Sequence, residues 1–314
     1  MNKKQFGTWS IVLAAGDGKR LRELTTTQTG DTIPKQYCSL NRSECLLELA
    51  LQRAWSISSA ERVCTIVAAK HRQWWRTLLR QVPPANVIVQ PRNRGTAVGI
   101  ALSLLHLENK DPEGRVVLLP ADHYVRDEGS LATSLDDLAC HAAQEPRTIF
   151  LLGAEPESAD CDLGYMVPVD NNSGLRRVKA FVEKPTREQA HSLIGAGALW
   201  NMFIVAGSIT SLLGLMEESY NFVAPMRSAL HHSSHLGALQ RLYGDLPTVD
   251  FSHDVLSHYP ERLKMLTAPE CGWTDIGTPD RVVATLKEAA GPCQRETATP
   301  GAMYLDLATA VGAR

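Results

Sequence analysis

An α/β fold, with a parallel sheet covered on both faces by helices, is predicted by three features of the chain. Short apolar runs with no polar alternation recur at residues 10–14, 63–68, 86–90 and 115–123. Such runs suit strands buried on both faces. Stretches with helical apolar spacing separate them, and each run empties into a polar or glycine-rich loop. In sheets of this kind ligands gather at the carboxyl ends of the strands. The loops at residues 16–20, 90–96 and 121–123 are therefore expected to converge on one site.

The first run, residues 10–14, opens directly into Gly16-Asp17-Gly18, followed by Lys19 and Arg20. Two glycines can adopt backbone angles that a side chain forbids, so the loop presents bare N–H groups as a nest for an anion, with two cations beside it. A merely structural tight turn is the alternative. Four residues between glycines, then Gly-Lys-Ser/Thr, would be needed for a Walker A loop, and these are missing. Leu21 stands where a dinucleotide fingerprint needs its third glycine.

Residues 25–34 form a polar stretch leading to Pro34-Lys-Gln-Tyr37, long enough to close over a ligand. Leu46, Leu49, Ala50, Ala54 and Ile57 mark one stripe of a helix over 44–57. A strand at 63–68 and a helix at 71–82 follow; Trp74 and Trp75 of that helix are read as packing residues, and Pro83-Pro84 stops it. After the strand at 86–90 comes the loop Gln90-Pro-Arg-Asn-Arg-Gly-Thr-Ala97, then a helix with Ile100, Ala101, Leu104, Leu105 and Leu107 on its apolar side. The strand at 115–123 ends in the charged tip Asp122-His123. A helix at 131–142 and a strand at 148–153 complete the first half.

From Leu163 the texture changes to shorter strands at 163–169 and 178–182, joined by a turn at 170–174. Thr186 and Gln189 form a capping box that starts a helix. A strand at 199–205, helices to about Leu242, a strand at 262–268, the loop Gly272-Trp-Thr-Asp-Ile-Gly-Thr-Pro279 and a helix at 280–290 follow. His231, His232 and His235 have spacing that suits metal ligands, but a solvated helix end is the favoured reading. The tail, 291–314, is rich in small residues and carries no hexapeptide repeat, so no appended β-helix domain is expected. The chain divides on this reading into a domain over 1–290, with a first part at 1–154 and a second at 155–290, and the tail.

With 314 residues, 44% hydrophobic and 21% charged composition and a formal net charge of −2, the chain has no basic footprint for nucleic acid. Seven cysteines lie scattered without a C-x-x-C pair, so neither a disulfide framework nor a zinc site is expected. The N-terminus lacks the apolar core of a signal peptide and no run reaches membrane-span length, which makes the cytoplasm the expected location.

Taken together, Leu13-Ala-Ala-Gly-Asp-Gly-Lys-Arg-Leu21, Pro34-Lys-Gln-Tyr37, Gln90-Pro-Arg-Asn-Arg-Gly-Thr-Ala97, Pro120-Ala-Asp-His123, Leu163-Gly-Tyr165, Phe181-Val-Glu-Lys-Pro185, Trp200-Asn201 and Trp273-Thr-Asp-Ile-Gly277 resemble the sugar-1-phosphate nucleotidyltransferase family, in its mannose-1-phosphate guanylyltransferase branch. The resemblance implies a Rossmann-like, mixed but mostly parallel sheet flanked by helices, with a nucleotide-binding part at about 1–154 and a sugar-binding part at about 155–290. It implies joining of a nucleoside triphosphate to a sugar 1-phosphate, first of all GTP and mannose 1-phosphate, with release of pyrophosphate. By similarity Ala14, Ala15, Gly16 and Gly18 hold the nucleotide, and Gln90, Gly95 and Thr96 its base and ribose region. Arg20 and Lys35 serve the phosphates, Asp122 and Asp275 bind Mg²⁺, Gly164, Glu183 and Asn201 contact the sugar, and Lys184 binds its phosphate.

The chemistry is consistent with those roles. Two polyanions must meet for in-line attack on the α-phosphorus, so charge neutralisation is the main problem. Mg²⁺ commonly takes only one or two carboxylates, the rest of its shell being water and phosphate. Blander alternatives remain: Asp122 as a helix cap, Asp275 as a turn cap, and Lys184–Glu183 as a surface ion pair.

The chain departs from the branch in reading Leu13-Ala-Ala-Gly16 for Leu-Ala-Gly-Gly, Gly18-Lys-Arg20 for Gly-Thr-Arg, and Trp200-Asn-Met-Phe203 for Trp-Asn-Ser-Gly-Met-Phe. Another base or sugar, a silent sugar-nucleotide-binding regulatory subunit, and a homodimer are left open. A nicotinamide-dependent oxidoreductase is disfavoured by Leu21.

Overall fold

The computed structural model describes residues 7–27, 29–40, 44–170, 174–232, 235–289 and 305–306. In chain order the strands are β1 (Thr8–Ala14), β2 (Cys38–Ser39), β3 (Val63–Ala68), β4 (Val87–Gln90), β5 (Arg115–Pro120), β6 (Ile149–Ala154), β7 (Gly164–Pro168), β8 (Arg176–Glu183), β9 (Leu199–Ser208), β10 (Leu263–Thr267) and β11 (Leu305–Asp306). The helices are α1 (Arg22–Thr25), α2 (Leu46–Ile57), α3 (Arg72–Leu78), α4 (Gly95–Glu108), α5 (Glu128–Gln144), α6 (Arg187–Gly195), α7 (Ile209–Ser219), α8 (Val223–His231), α9 (His235–Asp245) and α10 (Pro279–Ala289).

Nine strands form one sheet in the order β4-β3-β1-β5-β9-β6-β10-β8-β7. The run β4-β3-β1-β5 is parallel, β10 is parallel to β6, and β9, β8 and β7 pair antiparallel. The sheet is thus mixed, as expected, parallel throughout β4-β3-β1-β5 and with antiparallel pairings beyond β5. Connections leave β1 toward β3 on one side and pair it with β5 on the other, which opens a crevice at the carboxyl ends of these strands.

Alternate side chains of each central strand feed two cores, because successive side chains point to opposite faces. Val12 and Ala14, Val117 and Leu119, and Phe150 and Leu152 pack with α2, α3 and α5. Trp9 and Ile11, Val116 and Leu118, and Ile149 and Leu151 pack with α4, α7, α8 and α9. Trp74 and Trp75 lie in the first of these cores, as packing residues. α4 is buried from Ala97 to Leu105 rather than along one stripe, since α7 and α8 cover its outer side. The Thr186–Gln189 capping box is present.

An ion pair between a buried arginine and a partly exposed glutamate ties α2 to the start of α5. Arg53, 3% exposed, donates to both carboxylate oxygens of Glu128, Nε at 3.0 Å and Nη2 at 2.6 Å. Removing the carboxylate leaves a desolvated guanidinium without its counter-charge. Glu128→Ala is expected to lower unfolding free energy by about 1–3 kcal/mol, read as a lower denaturant midpoint at unchanged m-value. An unchanged midpoint would rule out this link as a support of the fold.

Among the described residues no helix is long and apolar enough to cross a membrane. Cys38, Cys45, Cys64 and Cys271 are free and buried. His231 ends α8 and His232 follows it, whereas Ser233, Ser234 and the His235 side chain lie outside the described residues. Most of the tail, 291–314, lies outside them as well.

Candidate active site

The glycine loop owes its shape to a neighbouring side chain. Gln36 Nε2 donates to the Ala14 and Gly16 carbonyls, each at 2.9 Å, and the Tyr37 hydroxyl donates to the Ala14 carbonyl at 3.3 Å. Gly18 sits at φ 60°, and a Cβ there would come within 3.0 Å of the Lys35 amide. Glycine is needed at that position for both reasons. Asp17 lies 2.6 Å from Lys70 Nζ and accepts from Asn93 Nδ2 at 3.4 Å. Burial works to raise its pKa, but the Lys70 ammonium outweighs this and holds it below the usual carboxylate range. The ends of β1, β3 and β4 are thereby joined; of the three loops expected to converge on one site, those at 16–20 and 121–123 line one cavity, whereas 90–96 only adjoins the first of them.

Asp122 follows β5 and caps no helix. Its loop is stitched to the one carrying Asp275: Tyr124 and Thr274 exchange backbone hydrogen bonds at 2.9 and 3.0 Å, and Trp273 Nε1 donates to His123 Nδ1 at 3.2 Å. Lys35, with 8% of its side chain exposed, completes the junction. Its ammonium donates to the Asp275 carbonyl at 2.6 Å and the Ile276 carbonyl at 3.3 Å, and lies 3.1 Å from Asp122 Oδ2. The two loops, distant in sequence, are joined by one buried cation, and both Asp122 and Asp275 line the same cavity. The burial that would raise the Asp122 pKa is overcome by Lys35, which keeps the carboxyl ionised below the usual range. Burial pushes His123 down to about 4. With Nδ1 accepting from Trp273, the neutral ring carries its proton on Nε2.

Asp275 Oδ1 accepts from the Gly277 amide at 3.0 Å and from Arg281, which also pairs with Asp160. Asp275 does cap its turn, and it also faces the cavity.

That cavity, of about 320 Å³, is lined by Gly18, Arg20, Lys35, Asp122, Gly164, Glu183, Lys184, Asn201 and Asp275, together with His123, Asp162, Phe203, Asp250, Ser252 and Trp273. Arg20 lies 3.1 Å from Asp162, with both side chains about half exposed. Glu183 and Gly164 are paired across β7 and β8, and a Cβ on Gly164 would collide with the Glu183 carboxylate. Burial raises the Glu183 pKa, with Lys184, 3.3 Å away, working against it. The expected ion pair is therefore real, and both of its members line the cavity. Asn201 Nδ2 reaches Ser252 Oγ at 3.5 Å.

Gln90, Gly95 and Thr96 stand differently. Gln90 is 2% exposed at the end of β4. Gly95 and Thr96 are in the first turn of α4 rather than in a loop, and they dock a distant segment. Thr96 Oγ1 accepts from the Phe251 amide at 2.7 Å, and the Ala97 amide donates to the Val249 carbonyl at 3.1 Å. This segment carries Asp250, whose carboxylate caps a π-helical turn over Phe251–Val255.

Backbone strain gathers at the same place. Among the described residues the non-glycine residues with positive φ are Lys184 at 49°, Phe203 at 55° and Ile276 at 47°. Lys184 and Phe203 line the cavity, and Ile276 sits between Asp275 and Gly277, which also line it. Each costs on the order of 1–3 kcal/mol, and such strain persists where surrounding contacts fix it, commonly at functional sites.

Asp17 with Lys70, Arg281 with Asp160, and Phe203, Asp250 and Ser252 were not legible as site residues. Their partners come from distant segments, and Phe203 lies inside an apolar run that reads as plain strand.

Two oxygen-donor carboxylates beside a cavity rimmed by cations suit a hard divalent ion carrying phosphate ligands. Among the described residues no cluster of three or more His, Cys, Asp or Glu could hold a metal on its own. Such an ion would depend on its ligand for the rest of its shell.

A family model described as nucleotidyl transferase matches residues 9–290. Mannose-1-phosphate guanylyltransferase 2 of Escherichia coli O157:H7 is 27% identical over 288 residues, covering 86% of this chain and 58% of that protein. The alginate biosynthesis protein AlgA of Pseudomonas aeruginosa is 26% identical over 282 residues, covering 85% of this chain and 56% of AlgA. The chain thus spans little more than half the length of these relatives. A crystal structure from Thermus thermophilus, titled mannose-1-phosphate geranyltransferase, superposes with a TM-score of 0.76 at 25% identity, covering 88% of this chain and 79% of that one. A UDP-glucose pyrophosphorylase complexed with UDP-glucose shares the fold, with a TM-score of 0.60 at 14% identity and coverage of 90% of this chain and 98% of that one.

Proposed function

The chain belongs to the nucleotidyl transferase family, and from that membership we propose that it joins a nucleoside triphosphate, GTP, to a sugar 1-phosphate, mannose 1-phosphate, with Mg²⁺. A phosphate oxygen of the sugar 1-phosphate attacks the α-phosphorus, the bond to the β-phosphate bridging oxygen breaks, and pyrophosphate leaves with the electron pair. The observation that carries this reading is the junction of Asp122 and Asp275 through Lys35 beneath a cavity that also holds Arg20, Lys184 and Glu183.

Asp122 and Asp275 would hold the Mg²⁺, which supplies charge neutralisation on the triphosphate when bound. Arg20, with half of its side chain exposed at the rim, is free to exchange Asp162 for phosphate oxygens. Lys184 meets the phosphate of the sugar, and Glu183 with Asn201 and Gly164 meets its hydroxyls. Gly16 and Gly18 bring backbone amides to the nucleotide, with Ala14 and Ala15 leading into them, and Gln90, Gly95 and Thr96 shape the base side. Lys35 acts chiefly through the loops it joins, since its donors already have partners; contacting phosphate requires it to release one of them. No side-chain nucleophile or base is needed, because phosphate oxygens are already deprotonated at neutral pH.

Measuring pyrophosphate release over four nucleoside triphosphates and several sugar 1-phosphates tests this. The expected result is Mg²⁺-dependent release, fastest with GTP and mannose 1-phosphate. No release from any pair would contradict it.

A further inference from the structure

β9 is not a regular strand where it passes the cavity. Its pairing with β6 runs Leu152 to Ile204 and then Gly153 to Asn201, so Met202 and Phe203 form a bulge with no partners in β6. Met202 is fully buried in the core. Phe203, only partly buried, has φ 55° and lines the cavity. Its amide donates to Asn201 Oδ1 at 3.0 Å, which fixes the turn. A bulky side chain is a poor choice for a left-handed angle that glycine adopts without strain. The local backbone therefore gives no reason for phenylalanine, and the reason must lie in what the ring touches. On one side the ring packs against the core that β1, β5, α4 and α7 share, edge-on to Phe251 with centroids 6.4 Å apart and an interplanar angle of 74°. On the other it lines the cavity, whose lining also holds the polar Glu183, Asn201, Asp250 and Ser252.

We propose that Phe203 determines sugar specificity in this site, its ring packing on the apolar C–H face of a hexose 1-phosphate while Glu183 and Asp250 accept ring hydroxyls. A pyranose has this dual character, with C–H faces and a hydroxyl rim, and a fixed aromatic plane amid hydrogen-bond acceptors complements it. The inference rests on the sugar-phosphate reading of the site given above.

The test compares wild type, Phe203→Gly and Phe203→Leu by KM for mannose 1-phosphate and for GTP, by calorimetric Kd for mannose 1-phosphate, and by Tm. Phe203→Gly is expected to raise both KM and Kd for the sugar phosphate by about tenfold. The GTP KM should stay within about twofold, and the Tm reports two opposing changes, strain released and packing against the core lost. Phe203→Leu, which keeps bulk without the aromatic plane, should fall between the two. Unchanged sugar-phosphate affinity or an equal rise in both KM values on Phe203→Gly would overturn the proposal. If wild type releases no pyrophosphate yet the Kd difference persists, the proposed reaction fails and the role of Phe203 stands. If wild type binds no hexose 1-phosphate, both fall.

Discussion

Asp122→Asn is expected to reduce pyrophosphate release by about 10³-fold, the scale of removing one preorganised charge from a phosphoryl-transfer site. The substitution keeps the shape of the side chain and removes only its charge, so two consequences separate. The cation loses a ligand, which should appear as a higher Mg²⁺ requirement. Lys35, buried and 3.1 Å from Asp122 Oδ2, loses its counter-charge and keeps only neutral acceptors, the carbonyls of Asp275 and Ile276 and the new amide oxygen. A stability loss of about 1–3 kcal/mol should accompany the loss of activity. Undiminished turnover would remove Asp122 from the reaction. Lost turnover with unchanged stability would mean that Lys35 does not depend on it.

Gly95→Ala should be among the most damaging glycine-to-alanine changes at the described residues. At φ 84° an alanine is strained whatever space surrounds it, and its Cβ would run into the Val249 carbonyl and sit 2.8 Å from the Val249 amide nitrogen. Neither atom can yield without breaking the bonds that dock residues 249–251 onto the start of α4. A loss of about 3 kcal/mol or more is expected in the denaturant midpoint. Because Asp250 and Ser252 line the cavity from this segment, the KM for the sugar phosphate should rise as well. A variant with unchanged midpoint and KM would show that the segment is held from elsewhere.

The two largest effects thus come from one residue that the sequence marks by its motif and one whose contacts it could not reveal. Strands, helices and the meeting of the loops after β1 and β5 were legible because hydrophobic period and glycine placement are local signals. So were the Thr186–Gln189 cap and the apolar roles of Trp74 and Trp75. Asp122, Asp275 and the Glu183–Lys184 pair stood in recognisable motifs, and the structure brings them to one cavity. What was not legible is how they are held. Lys35 reads as a phosphate ligand in sequence, yet it bonds to two carbonyls that lie some 240 residues further along the chain. Gly95 and Thr96 read as base contacts and are occupied with Val249 and Phe251. The apolar stripe expected on α4 widens to nearly the whole helix because α7 and α8, much later in the chain, cover it. The bulge that turns Phe203 into the cavity interrupts β9 without any glycine or proline to announce it.

The proposed chemistry depends most on one divalent ion joining the β5 loop to the loop before α10. The direct measurement is an anomalous difference map from crystals soaked with Mn²⁺ and a nucleoside triphosphate. The expected result is a peak at coordination distance, about 2.1 Å, from carboxylate oxygens of both Asp122 and Asp275, with phosphate density on its open side. Nucleotide density in the cavity with the metal bound elsewhere, or by neither carboxylate, would contradict it.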